Sequence, residues 1–278
     1  MTRNWLLGVI LLLNVTAVSS RPPSYSSIIG GHDTREKEWY FIAALVLKNS
    51  PNQIYCGGSI LNKRWVLTAA HCMTHPLNMY AVRLGAYHLS DTAPNNRLYS
   101  IIQAERHHAY VDVTDGDDIA VVKVDRDIKY CPSVAPVPKL AGAEEIFNEQ
   151  TPCRAAGWGR IADGVPLNNP KTLQEASLSV MDSKTCLQHV QGAGWKKIRP
   201  EMICAGKLGT TACHGDSGGP LVCYSSNNWF LVGVVSGGKG NCAGPTVFTR
   251  VSSYRDFIQK YTNRTSAELH LKPALQPC

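Results

Sequence analysis

Gly215-Asp216-Ser217-Gly218-Gly219-Pro220 is the stretch on which the reading of this chain turns. It sets a serine among glycines, where main-chain N–H groups can converge on one oxygen. Upstream lie Thr68-Ala69-Ala70-His71-Cys72 and Asp117-Asp118-Ile119-Ala120, and near the start Ile28-Ile29-Gly30-Gly31. A serine hydroxyl is a weak nucleophile at neutral pH. It needs a base to take its proton, and that base must be held in one tautomer. His71, Asp118 and Ser217 supply these residue types in that chain order. Asp117 stands beside Asp118, but the Asp-Ile-Ala pattern selects Asp118. The remaining histidines lack such a context and read as structural.

These four stretches together resemble the chymotrypsin-like serine proteases, over the chain from Ile28 to about Tyr261. The resemblance implies an all-β fold of two six-stranded antiparallel β-barrels, roughly 28–135 and 150–250, with a C-terminal α-helix at 253–262. The cleft would lie between the barrels, with His71 and Asp118 from the first and Ser217 from the second. The implied activity is that of a serine endopeptidase working through an acyl-enzyme, without a cofactor. By the same resemblance the N–H groups of Gly215 and Ser217 form the oxyanion hole, and Ser236 supports Asp118. A zymogen would be cut just before Ile28, and the new α-ammonium would pair with Asp216. Here Ser27 precedes the cut instead of Arg or Lys. The activator is then a protease of another specificity, or signal removal is followed by trimming. The alternative to an active enzyme is a weak or silent homologue that acts as a binding protein. The presence of all three triad residues favours the enzyme.

Family resemblance also places a substrate pocket. Thr211, six residues before Ser217, takes the floor, where a carboxylate would attract Arg or Lys. An uncharged floor leaves a buried cation without its counter-ion. Gly238 leaves room at the mouth and Thr246 fills the depth. Pro245–Val251 looks like the matching segment of pancreatic elastases, so small or medium apolar residues are the expected substrate. Two positions depart from the family pattern: Gly237 stands where a Trp is usual, and His214 where a Gln is common. Both touch the expected substrate path.

Away from these motifs, 278 residues at 44% hydrophobic content suffice for one large domain or two small ones. The pattern is of short β-rich runs between turn residues, among them Phe41–Leu47, Ile119–Val124, Ala176–Val180 and Thr246–Val251. Tyr254, Phe257, Ile258 and Tyr261 recur with helical spacing, with Ser252 or Ser253 as the N-cap. The net charge of +7 is mildly basic. Lys196-Lys197-Ile198-Arg199 is a solvated loop, or else a contact for an anionic glycan or acidic substrate. Nothing reads as a nucleic-acid site.

Residues 1–20 combine Arg3, an apolar run from Trp5 to Leu13 and small residues at Ala17, Ser19 and Ser20. That is a secretory signal pattern, too short to span a bilayer. Residues 21–27 follow as an exposed activation segment, and 28–278 as the protease domain. The expected location is secreted and extracellular, for a monomer with no membrane span. Its partners are protein or peptide substrates and protein protease inhibitors. Ten cysteines fit an oxidising compartment. Spacing does not give their connectivity. The family implies Cys56–Cys72, Cys153–Cys223, Cys186–Cys204 and Cys213–Cys242. Cys131 and Cys278 remain and are inferred to pair, tying down the tail 263–278, with a bond to another chain as the alternative. No CxxC spacing suggests a metal. Asn263-Arg264-Thr265 is a glycosylation sequon on that tail.

Overall fold

The computed structural model describes residues 28–92 and 97–262. The signal and activation segments, Asn263 and Cys278 lie outside them. Six strands of the first half close into an antiparallel barrel: β2 (Ile42–Leu47), β3 (Cys56–Ile60), β4 (Trp65–Thr68), β5 (Tyr80–Leu84), β6 (Leu98–Arg106) and β7 (Ala120–Val124). Their order around the barrel is β2-β3-β4-β7-β6-β5, closed by β5 against β2. Residues of β3, β4 and β5 are buried on both faces. One face fills the barrel and the other is covered by the rest of the molecule, which is why these strands read as near-continuous apolar runs. Trp65 on β4, for example, meets Tyr261 of the C-terminal helix at a ring separation of 6.4 Å.

The second half differs from the expected six-stranded barrel. It is an eight-stranded sheet built from β1 (His32–Asp33), β8 (Cys153–Gly157), β9 (Gln174–Leu178), β10 (Val180–Met181), β11 (Met202–Ala205), β12 (Pro220–Ser225), β13 (Asn228–Gly237) and β14 (Thr246–Arg250). The order is β1-β9-β8-β12-β13-β14-β11-β10. β9 and β10 are two pieces of one extended run interrupted at Ser179, whose carbonyl accepts the Gly206 N–H at 3.0 Å. The first piece pairs with β8 and the second with β11, so one run serves both flanks of the sheet. The break at Ser179 and the added β1 explain why the ladder has eight strands. A separate apolar cluster fills this half, including Ile28, Ala176, Leu178, Ile203, Leu221, Val232 and Phe248.

Two helices complete the fold. The sequence reading overlooked α1 (Ser183–Val190), although Asp182 caps it by accepting the N–H groups of Lys184 and Thr185 at 2.9 Å each. The disulfide Cys186–Cys204 ties α1 to β11. The C-terminal helix α2 runs Arg255–Thr262, later than expected, after a 3-10 turn over Val251–Tyr254. Ser252 and Ser253 therefore sit inside that turn and do not cap the helix. Val251, Tyr254 and Ile258 pack into the first barrel's core, so the last element of the chain clasps the first half. Among the described residues no helix is long and apolar enough to cross a membrane.

Candidate active site

His71 and Asp118 meet because of strand register. β4 and β7 are antiparallel neighbours with Thr68 opposite Ala120. His71 lies three residues beyond Thr68, in a 3-10 turn over Ala70–Cys72, and Asp118 two residues before Ala120. Both thus emerge at one end of the barrel. Asp118 is fully buried, and its carboxylate takes three hydrogen bonds. His71 N–H reaches Oδ1 at 2.9 Å, His71 Nδ1 lies 2.7 Å from Oδ2, and Ser236 Oγ donates to Oδ2 at 2.6 Å. With Nδ1–H as donor, the imidazole is fixed in the tautomer that leaves Nε2 as the acceptor. The Asp118 carbonyl also accepts from Thr249 Oγ1 at 2.7 Å. Asp117, at φ 57°, serves another purpose: it accepts Tyr254 OH at 3.0 Å.

Ser236 reaches Asp118 through a bulge. Val235 is opposite Phe248 and Gly237 opposite Val247, so Ser236 is an extra residue between two consecutive partners on β14. A bulge of this kind re-aims a side chain, and here the hydroxyl is turned onto the carboxylate. Sequence could name Ser236 only by resemblance, because a register shift leaves no local signature.

Ser217 sits on a tight turn just before β12. Its carbonyl accepts Gly57 N–H at 2.6 Å, next to Cys56, which is bridged to Cys72 beside His71. Gly218 is at φ 79°, and a Cβ there would run into Thr68 Oγ1 and the Gly57 carbonyl, so glycine alone lets the serine turn approach the histidine turn. Gly215 is at φ 99°, with the Gly159 backbone closing the other side. The N–H groups of Gly215 and Ser217 donate to no acceptor among the described residues, although the alternate amides of Asp216 and Gly218 are both paired. Two unengaged donors flank the serine where a developing oxyanion would need them. Ser217 Oγ makes no hydrogen bond to His71 among the described residues. Such links are often loose without substrate.

Asp216 points the other way, into the second half. It is 1% exposed, and Gly159 N–H reaches Oδ1 at 2.9 Å and Cys213 N–H reaches Oδ2 at 3.0 Å. Burial pushes its carboxyl up to about 7, against the lowering effect of those two amides. Ile28 is fully buried, and Ile29 exchanges backbone hydrogen bonds with Thr211 at 3.1 and 3.2 Å.

Beside Ser217 opens a cleft of about 190 Å³. It brings together Thr211, His214, Ser236, Gly237, Gly238 and Thr246, all named from sequence. Thr211 and Thr246 are buried with their hydroxyls 2.7 Å apart, and Thr246 Oγ1 also accepts Ala212 N–H at 3.1 Å. No Asp or Glu lines this cleft. His214 Nε2 lies 2.7 Å from the Gly240 carbonyl on the facing loop, and Cys213–Cys242 joins the same two segments. The sequence reading missed Trp195, which also lines the cleft and is only 2% exposed. A loop that reaches in from α1 brings it there, and nothing in its local sequence marks the contact. A larger recess of about 320 Å³ between Trp39, Tyr40 and Tyr87 contains none of these groups.

Disulfides Cys56–Cys72, Cys153–Cys223, Cys186–Cys204 and Cys213–Cys242 are all present. The partner assigned to Cys131 is Cys278, outside the described residues. The one His/Cys cluster with metal-like spacing among the described residues, Cys56, His71 and Cys72, holds a disulfide whose sulfurs are not thiolates. The family model described as Trypsin matches residues 28–258. A mouse protein named tryptase is 34% identical over 268 residues, covering 92% of this chain and 96% of that protein.

Proposed function

Since the chain belongs to the trypsin family of serine proteases, we propose that it is a secreted endopeptidase, made as a zymogen, that cuts after small or medium apolar residues. The observation that carries this reading is the Ser236–Asp118–His71 network, which ends beside the Ser217 turn. Ser217 Oγ attacks the scissile carbonyl carbon while His71 Nε2 takes its proton. Asp118 stabilises the imidazolium. The oxyanion is held by the N–H groups of Gly215 and Ser217, donors worth about 2.7–4 kcal/mol each in the transition state. Collapse expels the amine, which receives the proton from His71, and leaves an acyl-enzyme. Water, deprotonated by the same imidazole, then releases the acid and restores Ser217.

Primary specificity follows from the floor. Thr211 and Thr246 satisfy one another, and no carboxylate is at hand to receive a cation. An Arg or Lys side chain would lose its hydration there without a counter-ion. Activation follows from Asp216. Cutting at Ser27–Ile28 would create an α-ammonium on a residue that is already fully buried, in the half of the molecule that holds the buried carboxylate. Four disulfides suit an extracellular or secretory setting.

The rival reading is a silent homologue that binds without cutting. Fluorophosphonate labelling of processed protein separates the two. Covalent modification at Ser217, together with peptide-library cleavage after Ala, Val, Leu or Met, is the expected result. Absence of label would overturn the enzyme, and dominant cleavage after Arg or Lys would overturn the pocket.

A further inference from the structure

Ser236 and His71 hold the Asp118 carboxylate, but other groups hold the backbone that carries it. Gly116 and Asp117 are both at positive φ, 88° and 57°, so the chain turns sharply just before β7. The Asp117 carbonyl accepts Ile119 N–H at 2.9 Å across Asp118, and the Asp118 carbonyl accepts Thr249 Oγ1 at 2.7 Å. The left-handed region is unfavourable for a residue with a side chain, though aspartate tolerates it better than most. A contact that keeps Asp117 there therefore matters, and Tyr254 OH supplies it by donating to Oδ1 at 3.0 Å. Tyr254 closes the 3-10 turn that leads into α2 and is buried. Burial, and next the hydrogen bond to Asp117, push its phenol up, so the hydroxyl keeps its proton and donates. His107, just past the end of β6, backs the phenol ring edge-on at 5.1 Å, and Phe257 of α2 meets His107 at 5.2 Å. His107 Nδ1 lies 3.2 Å from the same Asp117 oxygen but is not aligned for a hydrogen bond. The aligned link from the last elements of the chain to the Asp117 side chain is thus the Tyr254 hydroxyl.

We propose that Tyr254 is a positioning residue for the reaction: through Asp117 it fixes the backbone of Asp118, and with it the hydrogen bonds from Asp118 to His71. The inference rests on the protease reading above and deepens it. The peptide before Asp118 is pinned through Asp117, and the peptide after it by Thr249. The Asp118 side chain then leaves the backbone at one place and in one direction. Without the phenol hydroxyl, the turn at Asp117 relaxes and the carboxylate shifts against the imidazole. Hydrogen bonds weaken steeply as their angle opens, and small displacements of catalytic groups are costly in rate. Tyr254 touches no reacting atom and does not line the substrate cleft, so its loss falls on turnover and spares substrate binding.

The test is Tyr254→Phe, which keeps the ring and its packing and removes only the hydroxyl. The processed variant should hydrolyse the best peptide amide with kcat about tenfold lower and KM within about twofold of the parent. Asp117→Asn keeps an acceptor for the phenol and tolerates positive φ, and should hold kcat within about twofold. Asp117→Gly keeps the turn but drops the acceptor, and should match Tyr254→Phe. Combining Tyr254→Phe with Asp117→Gly should cost no more than either alone, because both break one link. An unchanged kcat in Tyr254→Phe, a loss that appears in KM instead, or additive losses in the double variant overturns the positioning role and leaves the protease reading standing. Should Tyr254→Phe fail to unfold cooperatively, the Asp117 pair decides: equal kcat for Asp117→Asn and Asp117→Gly overturns the role, and a gap of about tenfold supports it. Parent protein that takes no fluorophosphonate label and cuts no peptide overturns the protease reading, and this role with it.

Discussion

Asp118 and Asp216 are both aspartates hidden from solvent, at 0% and 1% exposure, yet they are held in opposite ways. Asp118, at the end of the first barrel, meets a side-chain hydroxyl, a backbone amide and an imidazole. Asp216, in the second half, meets two backbone amides and makes no ion pair among the described residues. Burial therefore dominates and lifts its carboxyl to about 7. One carboxylate is complete in the fold as it stands. The other is costly to ionise until a cation arrives. The contrast sets a carboxylate satisfied within the fold, at the end of the first barrel, against one in the second half that lacks a cation.

The sharpest way to break that contrast is Asp118→Asn. The amide would no longer hold His71 in the required tautomer, and kcat should fall by about 10⁴-fold with cooperative unfolding retained. Steady-state hydrolysis by the processed variant measures this, and a loss below tenfold would remove Asp118 from the mechanism.

Next in size is the response of Asp216 to pH. Its folded pKa lies above the ordinary carboxylate value of 3.8, so the folded chain holds the proton more tightly than the unfolded one. Its contribution to stability is full below about 3.8 and is lost as pH rises through about 7, amounting to about 4 kcal/mol. Denaturant midpoints of the uncut Ser217→Ala chain from pH 4 to 8 should show this decline, and Asp216→Asn should remove that part of it. Cutting after Ser27 supplies the ammonium and should reverse the slope, so that the processed protein loses stability on acidification. Identical profiles for the cut and uncut chains would refute the pairing.

Thr211→Asp probes the floor that the second half supplies. A carboxylate there gives a basic side chain its counter-ion, and the ratio of cleavage after Lys or Arg to cleavage after Ala should rise at least a hundredfold. The smallest expected effect is that of Ser236→Ala. Loss of one hydrogen bond to an ionised carboxylate should lower kcat by about tenfold. A change of less than twofold would show that the two His71 contacts hold Asp118 unaided.

The serine turn, the histidine turn and the Asp-Ile-Ala strand start were legible because each is local, with the chemistry contained in a few consecutive residues. Four of the disulfides followed once the family pattern was seen. Other features escaped for definite reasons. The break at Ser179 lies inside a continuous β-rich run and depends on which neighbour each piece pairs with. α1 was hidden because its eight residues bury only Cys186 and Val190, too few to set up a visible helical period. Gly237 could be recognised as a departure, but what faces it could not be, because Trp195 lies 42 positions away in the sequence.

By itself the sequence named Ser217, His71 and Asp118 as the proposed nucleophile, base and supporting carboxylate, and an uncharged Thr211 for the proposed pocket floor. These are statements about residue type and short-range order, and residue type sets the available chemistry. Tertiary structure alone decided that Ser236 is turned onto Asp118 by a bulge, that Asp216 sits among backbone amides with its carboxyl raised, and that an indole closes the space over Gly237. Each of those depends on strand register, burial or contact between distant segments, which packing sets and no short stretch of sequence encodes.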